Sequence, residues 1–440
     1  MKRRRVVSVA LVGAAALVVA ACGGSTKNTT TNTTAANGTP TTCCVAPKTL
    51  AAAPGFDPST NTIHLGVITP LTGPAAVIGK PLTSGTETWF KYINSTGGIA
   101  GKYKVVLDEK DSQYNPQMAV QDYNEIKGGD VMIAQLLGTP ETNAVIPLLK
   151  QDNIVAAPAS LDAEWVHDPN LLPVGAPYQF QMINGADYIY NTLGMKTQTV
   201  CSFIQDDTYG QAGEQGLDFA AGKLGFKVKT TAKYMAGATD VTAQIQQLKS
   251  AGCQVVYLVS TPDITLLAFS KAVQLSFTPQ WVGASPTYVG ALAGSALGPY
   301  MQKYYIQTSE GTEWGDTSVK GMADMVSRTT QFNPTQAPDI YYSFGYYQAW
   351  AVTDLLNKAV QLGDLSRAGI IKALDNLGTL SFDGLTGDYN YGATPADRVP
   401  PRETSIFKVD PAKVKTTGGL TKVVVNFTSD LAKQYTLPNG

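Results

Sequence analysis

From residue 63 to residue 283, short apolar runs alternate with segments of helical period, and that alternation restricts the chain to an α/β architecture. Apolar runs at 63–68, 104–108, 131–136 and 154–157 read as strands. The first breaks at Thr69-Pro70-Leu71-Thr72-Gly73-Pro74. A helix is then predicted over 81–95, with Pro81 in its first turn and Gly97-Gly98 as its stop. Asn115-Pro116 opens a second helix. Leu137-Gly138-Thr139-Pro140 opens a third, with Thr139 predicted as N-cap and Pro140 at the first helical position. A second set of the same units follows a helix predicted near 186–193, with strands at 199–204, 227–234, 254–259 and 280–283. In such sheets a ligand sits in the crevice outside the carboxyl ends of the strands. The loops that leave those ends are therefore the first candidates for a binding site.

Size and charge narrow the field. The chain has 440 residues, more than one domain usually holds, so two lobes are expected. Hydrophobic residues make up 44%, as in globular proteins generally, and the net charge of −1 gives no basis for holding nucleic acid through bulk electrostatics.

The N-terminus reads as an address. Lys2-Arg3-Arg4-Arg5 precedes an apolar run at 6–21, which ends in Val19-Ala20-Ala21-Cys22-Gly23. Residues 1–21 are expected to be a lipoprotein signal peptide, with Cys22 as the acylated anchor. More than one acyl chain on that residue gives stable attachment. Residues 22–60 are rich in Thr, Asn, Ala and Pro with almost no charge, and are expected to be a disordered tether. No other stretch is long and apolar enough to span a bilayer.

The run G-V-I-T-P-L-T-G-P, followed by I-G-K-P and Y-I-N-S-T-G-G-I-A-G, closely resembles the opening of the branched-chain amino-acid (Leu/Ile/Val) binding protein family. Asp206-Asp207-Thr208-Tyr209-Gly210 agrees with it further on. These are type I periplasmic substrate-binding proteins of ABC importers. The resemblance implies two Rossmann-like lobes, parallel sheets flanked by helices and a three-stranded hinge. It implies lobe 1 at 61–182 plus 309–402 and lobe 2 at 183–308 plus 403–440. It also implies lobe closure on a small-molecule ligand, an ABC permease as partner, no cofactor and no enzymatic step. With the anchor, the location is the outer face of the cytoplasmic membrane, and a monomer is expected. The same fold also serves sensory modules that signal to a membrane receptor.

Carried onto this sequence, the family's contacts fall at Gly138 and Thr139, at Ala159 and Ser160, and at Tyr209, while Thr261 and Ser285 are expected to line the same crevice because they stand at the carboxyl ends of two second-lobe strands. Thr139 and Ser160 also have simpler readings as helix caps, and Tyr209 as local packing. Tyr288 and Glu313 are weaker candidates. Two departures stand out. Ile78 occupies a position where the family often has an aromatic. Ala284-Ser285-Pro286 carries no acid where amino-acid binders place one for the ligand ammonium. A buried ammonium needs a charge partner. The ligand is therefore expected to be a small carboxylate, amide or aromatic acid rather than an ordinary α-amino acid.

No catalytic constellation is legible. The chain has two histidines, His64 within a strand and His167 in a polar loop. It has no Walker A loop, G-x-S-x-G elbow or H-E-x-x-H pair, and no metal-ligand spacing among its cysteines. Cys43 and Cys44 lie in the tether. Cys201 and Cys253 open two strand-like runs, either as buried thiols or as a disulfide. In the usual doubly wound order those two strands are neighbours, about 4.8 Å apart, which is compatible with a bridge.

Overall fold

The computed structural model describes residues 50–438. The expected signal peptide, the lipid anchor at Cys22, the thiols Cys43 and Cys44 and the tether up to residue 49 lie outside the described residues. Residues 50–60, expected in the disordered tether, are folded instead, because Leu50 and Phe56 are buried in the core and Phe56–Asp57 pairs with the first long strand.

Among the described residues, the first sheet is built from β1 (Phe56–Asp57), β2 (Thr62–Thr69), β3 (Lys104–Asp111), β4 (Ile133–Leu136) and β5 (Ala156–Pro158). Strands β3, β2, β4 and β5 run parallel, and β1 pairs antiparallel with the start of β2. The crossovers are α1 (Ala76–Ser95), α2 (Pro116–Ile126) and α3 (Thr139–Asp152). Helix α1 begins five residues before the predicted start, so Pro81 lies inside it. The polar turn Thr69–Pro74 is held by Asp111, whose Oδ1 accepts from the Leu71 and Thr72 N–H groups at 2.8 and 3.1 Å. That frees residues 76–80 to extend the helix upstream. At α2 the Asn115 side chain caps the Gln117 and Met118 N–H groups as expected.

The chain crosses to the second sheet before α4 (Tyr178–Asp187), which packs on α5 (Thr208–Leu224). Between them lies β6 (Val200–Gln205); β7 (Val228–Tyr234), α6 (Thr242–Ser250), β8 (Val255–Val259), α7 (Pro262–Gln274) and β9 (Gln280–Gly283) follow. After α8 (Gly290–Ala293) and α9 (Gly298–Tyr304), β10 (Tyr305–Ser309) completes the parallel part, in the order β7-β6-β8-β9-β10. The chain then returns through α10 (Lys320–Phe332), α11 (Ile340–Leu362) and α12 (Arg367–Leu374), and adds a small hairpin of β11 (Thr379–Leu380) and β12 (Tyr389–Asn390). It crosses a third time to β13 (Thr404–Val409) and β14 (Leu420–Phe427), which join the second sheet antiparallel beside β10. The second sheet is thus parallel for five strands and antiparallel at one edge.

Helix α11 is the backbone of the first lobe's core. It packs along α1, and the two approach closely at Gly85 and Gly345, where a Cβ would overlap the facing helix. Trp89 fills the adjoining space, stacked on Trp350 at 5.0 Å and donating from Nε1 to Thr353 Oγ1 at 2.8 Å. Each aromatic of this size buries 150–250 Å², roughly, so the contact dominates this part of the core. Asp339 caps α11 through the Tyr341 and Tyr342 N–H groups, which fixes where Tyr341 points into the space between the lobes.

Candidate functional site

The carboxyl ends of both parallel sheets face one cavity. Ile78, Gly138, Thr139, Ala159 and Ser160 line it from the first lobe, and Tyr209, Thr261 and Ser285 from the second. The structure thus brings all eight sequence-derived contact residues to one space. Tyr288 and Glu313 are not among the lining residues. The Tyr288 hydroxyl donates to the Gly418 carbonyl at 2.7 Å, and Glu313 accepts from the Lys422 N–H at 3.0 Å.

Several of those residues do something other than expected. Gly138, not Thr139, is the N-cap of α3, with φ 114° and ψ 129°, and Thr139 is the first helical residue. The reason is the backbone: only glycine adopts that φ readily, so the turn tightens one residue earlier. The Gly138 N–H is already satisfied by Ser160 Oγ at 3.2 Å, so it is not free for a ligand, and Ser160 is not a helix cap. The Thr139 hydroxyl is buried without a hydrogen-bond partner, and the N–H of the same residue sits in the first turn, where no intrahelical acceptor exists. The Tyr209 hydroxyl donates to the Ser260 carbonyl at 3.2 Å, and its ring packs edge-on against Tyr178 at 5.0 Å. Tyr209 therefore offers the cavity a ring face rather than a donor.

Sequence reasoning missed the aromatic wall and an acid. Tyr114, Tyr178, Tyr341 and Phe344 also line the cavity, and so does Glu310. Glu310 is the residue immediately after β10, at the second crossover between lobes. It accepts from Gln181 Nε2 at 2.9 Å, while Gln181 Oε1 accepts from the Ser285 N–H at 2.8 Å. Burial pushes Glu310 up to about 7, against the hydrogen bonds from Ser285, Ser309 and Gln181 that favour its charged form. This corrects the premise that the site lacks an acid. The acid comes from the next strand end, not from the loop after β9. The rule that locates strand ends at the crevice applied equally to residue 310.

A second buried carboxyl lies behind the α3 turn. Glu141 has neither carboxylate oxygen hydrogen-bonded to another side chain, and burial raises it to about 8, with Asp207 adding to the shift. Asp207 itself caps α5 through the Tyr209 and Gly210 N–H groups. The lobes touch beside the cavity: Gln205 Nε2 donates to the Tyr114 hydroxyl at 3.2 Å, and the Tyr341 hydroxyl donates to the Tyr288 carbonyl at 2.7 Å. The lining is mainly apolar and aromatic with a few convergent polar groups, the composition of a small-molecule site. None of the lining residues forms a nucleophile–base pair.

At the far end of the second sheet, Cys201 and Cys253 are joined in a disulfide, with Cα atoms 5.8 Å apart. Strands β6 and β8 are direct neighbours, and Cys201 stands beside Val256 in register. His167 Nδ1 meets the Pro395 carbonyl at 2.8 Å, remote from the cavity lining. Among the described residues, no helix is long and apolar enough to cross a membrane.

Comparisons with known proteins agree with this geometry. The Leu/Ile/Val-binding protein homolog 3 of Brucella melitensis is 29% identical over 206 residues, which cover 44% of this chain and 53% of the relative. The match thus spans about half of that relative's length. The fatty acid ABC transporter substrate-binding protein from Thermomonospora curvata superposes with a TM-score of 0.81 at 25% identity, covering 88% of this chain and 97% of that one. A branched-chain amino acid ABC transporter protein from Thermus thermophilus with bound valine shares the fold, with a TM-score of 0.72 at 18% identity over 85% of this chain and 98% of that one. The family model described as periplasmic binding protein matches residues 62–416, and with the two-lobed α/β fold it shows that this chain belongs to the periplasmic binding protein family, among relatives of the Leu/Ile/Val-binding type.

Proposed function

We propose that this protein captures a small amphipathic carboxylate between its two lobes and hands it to an ABC permease outside the cytoplasmic membrane. In this reading Cys22 carries the lipid anchor, the residues from there to 49 are the tether, and the protein acts as a monomer without a cofactor. The carrying observation is the cavity itself. Its walls are tyrosines and Phe344, and its polar edge is the start of α3. The rings suit an apolar body. The helix start, with the Thr139 N–H and the positive dipole end, suits a carboxylate. The likeness to a fatty acid binder supports an apolar ligand portion.

Glu310 motivates one competing ligand. A carboxyl held near neutrality by burial is able to ionise beside a cation, so an α-amino acid with its ammonium at Glu310 is the second reading. Mass spectrometry of small molecules released by denaturing the purified protein identifies what is carried. Calorimetry on stripped protein then compares fatty and aromatic carboxylates with leucine and valine. Binding of the carboxylates supports the proposal. Micromolar binding of leucine or valine that Glu310→Gln abolishes replaces it with the amino-acid reading. The anchor is tested by Cys22→Ala, which is expected to move the protein from membranes to the soluble exported fraction. Retention on membranes in high salt counts against it.

A further inference from the structure

Away from the cavity, three side chains from adjacent strands of the first sheet converge. His64 lies near the start of β2, Asp108 in β3, and Asp130 just before β4. In the register of β2 and β3, Asp108 stands beside Gly66, two residues beyond His64. Side chains two apart on a strand share a face, so His64 and Asp108 project on the same side of the sheet. The bare Cα of Gly66 leaves the space between them, and Asp130 fills it: a Cβ at residue 66 would sit 3.1 Å from Asp130 Oδ2. His64 Nδ1 and Asp108 Oδ2 are 3.1 Å apart, and one ligating atom from each of the three residues lies within 4.8 Å of the others.

Asp130 is what makes this more than a polar patch. It is 1% exposed, neither of its carboxylate oxygens has an N–H or hydroxyl donor, and the group it faces is the Asp108 carboxyl. Two facing carboxyls, one of them buried, are relieved either by a shared proton or by a cation, and His64 beside them completes a donor set for a cation. The neighbouring Lys110 does not supply it, because its Nζ is committed to Glu125 at 2.7 Å. Asp108 and Asp130 also border an open depression at the sheet edge, so an ion has a path in.

We propose that His64, Asp108 and Asp130 bind one divalent transition-metal ion of the zinc class, at a site separate from the solute cavity. The donor set argues for that class. One imidazole nitrogen with two carboxylates suits zinc and its neighbours, whereas calcium and magnesium take shells made of oxygen. Zinc bonds of about 2.0–2.2 Å require the donors to stand about 3.4 Å apart, a contraction that side-chain torsions supply. Three protein ligands leave a fourth position for water from the depression. The ion would pin β2, β3 and the entry to β4 together.

The test uses the full chain, stripped with a chelator and titrated calorimetrically with zinc chloride. Expected are one zinc ion bound at micromolar or lower concentration and a zinc-dependent rise in melting temperature. His64→Ala and Asp130→Asn should each weaken this binding tenfold or more. His64 is half-exposed, so its variant remains informative even if Asp130→Asn disturbs folding. No zinc-dependent heat would mean that Asp130 is neutralised by a proton alone, and overturns the proposal. Wild-type zinc binding by His64→Ala overturns it as well, because the ion would then sit elsewhere.

Discussion

Gln181 and Glu310 are joined by a 2.9 Å hydrogen bond that ties helix α4 to the second crossover at the edge of the ligand cavity. The same amide accepts from the Ser285 N–H, so one side chain fixes both the acid and the loop after β9. Around Glu310 stand the hydroxyls of Tyr178, Tyr341 and Tyr347, with Ser285 and Ser309, and none of these is cationic. The carboxyl is therefore neutral below about pH 7 and charged above it. An anionic ligand in the same cavity meets no opposing charge at pH 6 and a full one at pH 8. Its affinity should fall across that window in the wild type and fall less in Glu310→Gln, where Glu141 behind the α3 turn still titrates. Calorimetry with one carboxylate ligand at both pH values reads this out. A wild-type affinity that rises with pH would instead point to an ammonium partner for Glu310.

Glu141 makes a stability prediction with a definite sign. Its ordinary value of 4.5 is raised by burial to about 8 in the folded protein. The folded state thus keeps a proton that the unfolded chain has already lost between those values. Linkage then lowers stability as pH rises through that window, by about 1.4 kcal/mol for each unit at most. Glu141→Gln removes the term. The variant should gain stability relative to the wild type from pH 5 to pH 8, and the gap should stop widening above that. Urea denaturation at three pH values checks it; a constant difference would show that Glu141 is solvated.

What the sequence disclosed follows from how local each signal was. The alternation of strands and helices depends on apolar spacing within a few residues, and β9 has the bounds that spacing predicted. The start of α1 was not legible, because the Thr69–Pro74 turn is held by Asp111, some 40 residues away in sequence. Thr139 carries the composition of an N-cap, yet the φ of Gly138 decides the turn. At the site, Tyr209 was reachable through the family resemblance, and Thr261 and Ser285 as strand-end positions. Glu310 follows the same rule, but its strand, YIQTS, is half polar and gives a weaker pattern. Its partner Gln181 is remote in sequence, and no spacing links them.

Gly138→Ala tests how far the α3 turn depends on one glycine. At φ 114° a side chain is strained, and the added Cβ would overlap the Glu141 carboxylate. Strain of this kind costs about 1–3 kcal/mol. The variant should lose that much stability in chemical denaturation and also bind ligand more weakly, since Thr139 and the Ser160 contact shift with the turn. Adding Glu141→Ala removes the overlap but not the backbone strain, so it should restore only part of the loss. Full restoration would assign the whole effect to the clash.

The Cys201–Cys253 bridge should stabilise the second lobe without touching the ligand site. It closes a loop with a sequence separation of 52, at the amino ends of β6 and β8, whereas the cavity lies at their carboxyl ends. Constraining an unfolded loop of that length is worth about 4 kcal/mol in the chain-entropy treatment. Both sulfurs are buried, Cys201 fully and Cys253 at 5% exposure, so added reductant reaches them slowly, and the double substitution to Ala is the better probe. Its cost combines the lost constraint with a small cavity among Phe203, Val256 and Leu248, which belong to the same packed cluster. Denaturation of the variant should show a loss of about 4 kcal/mol or somewhat more. Ligand affinity measured well below the melting temperature should be unchanged, because strands β6 and β8 keep their register through the ladder between them. A matching loss of affinity at that temperature would mean that the bridge positions Tyr209 and Thr261 as well as holding the sheet.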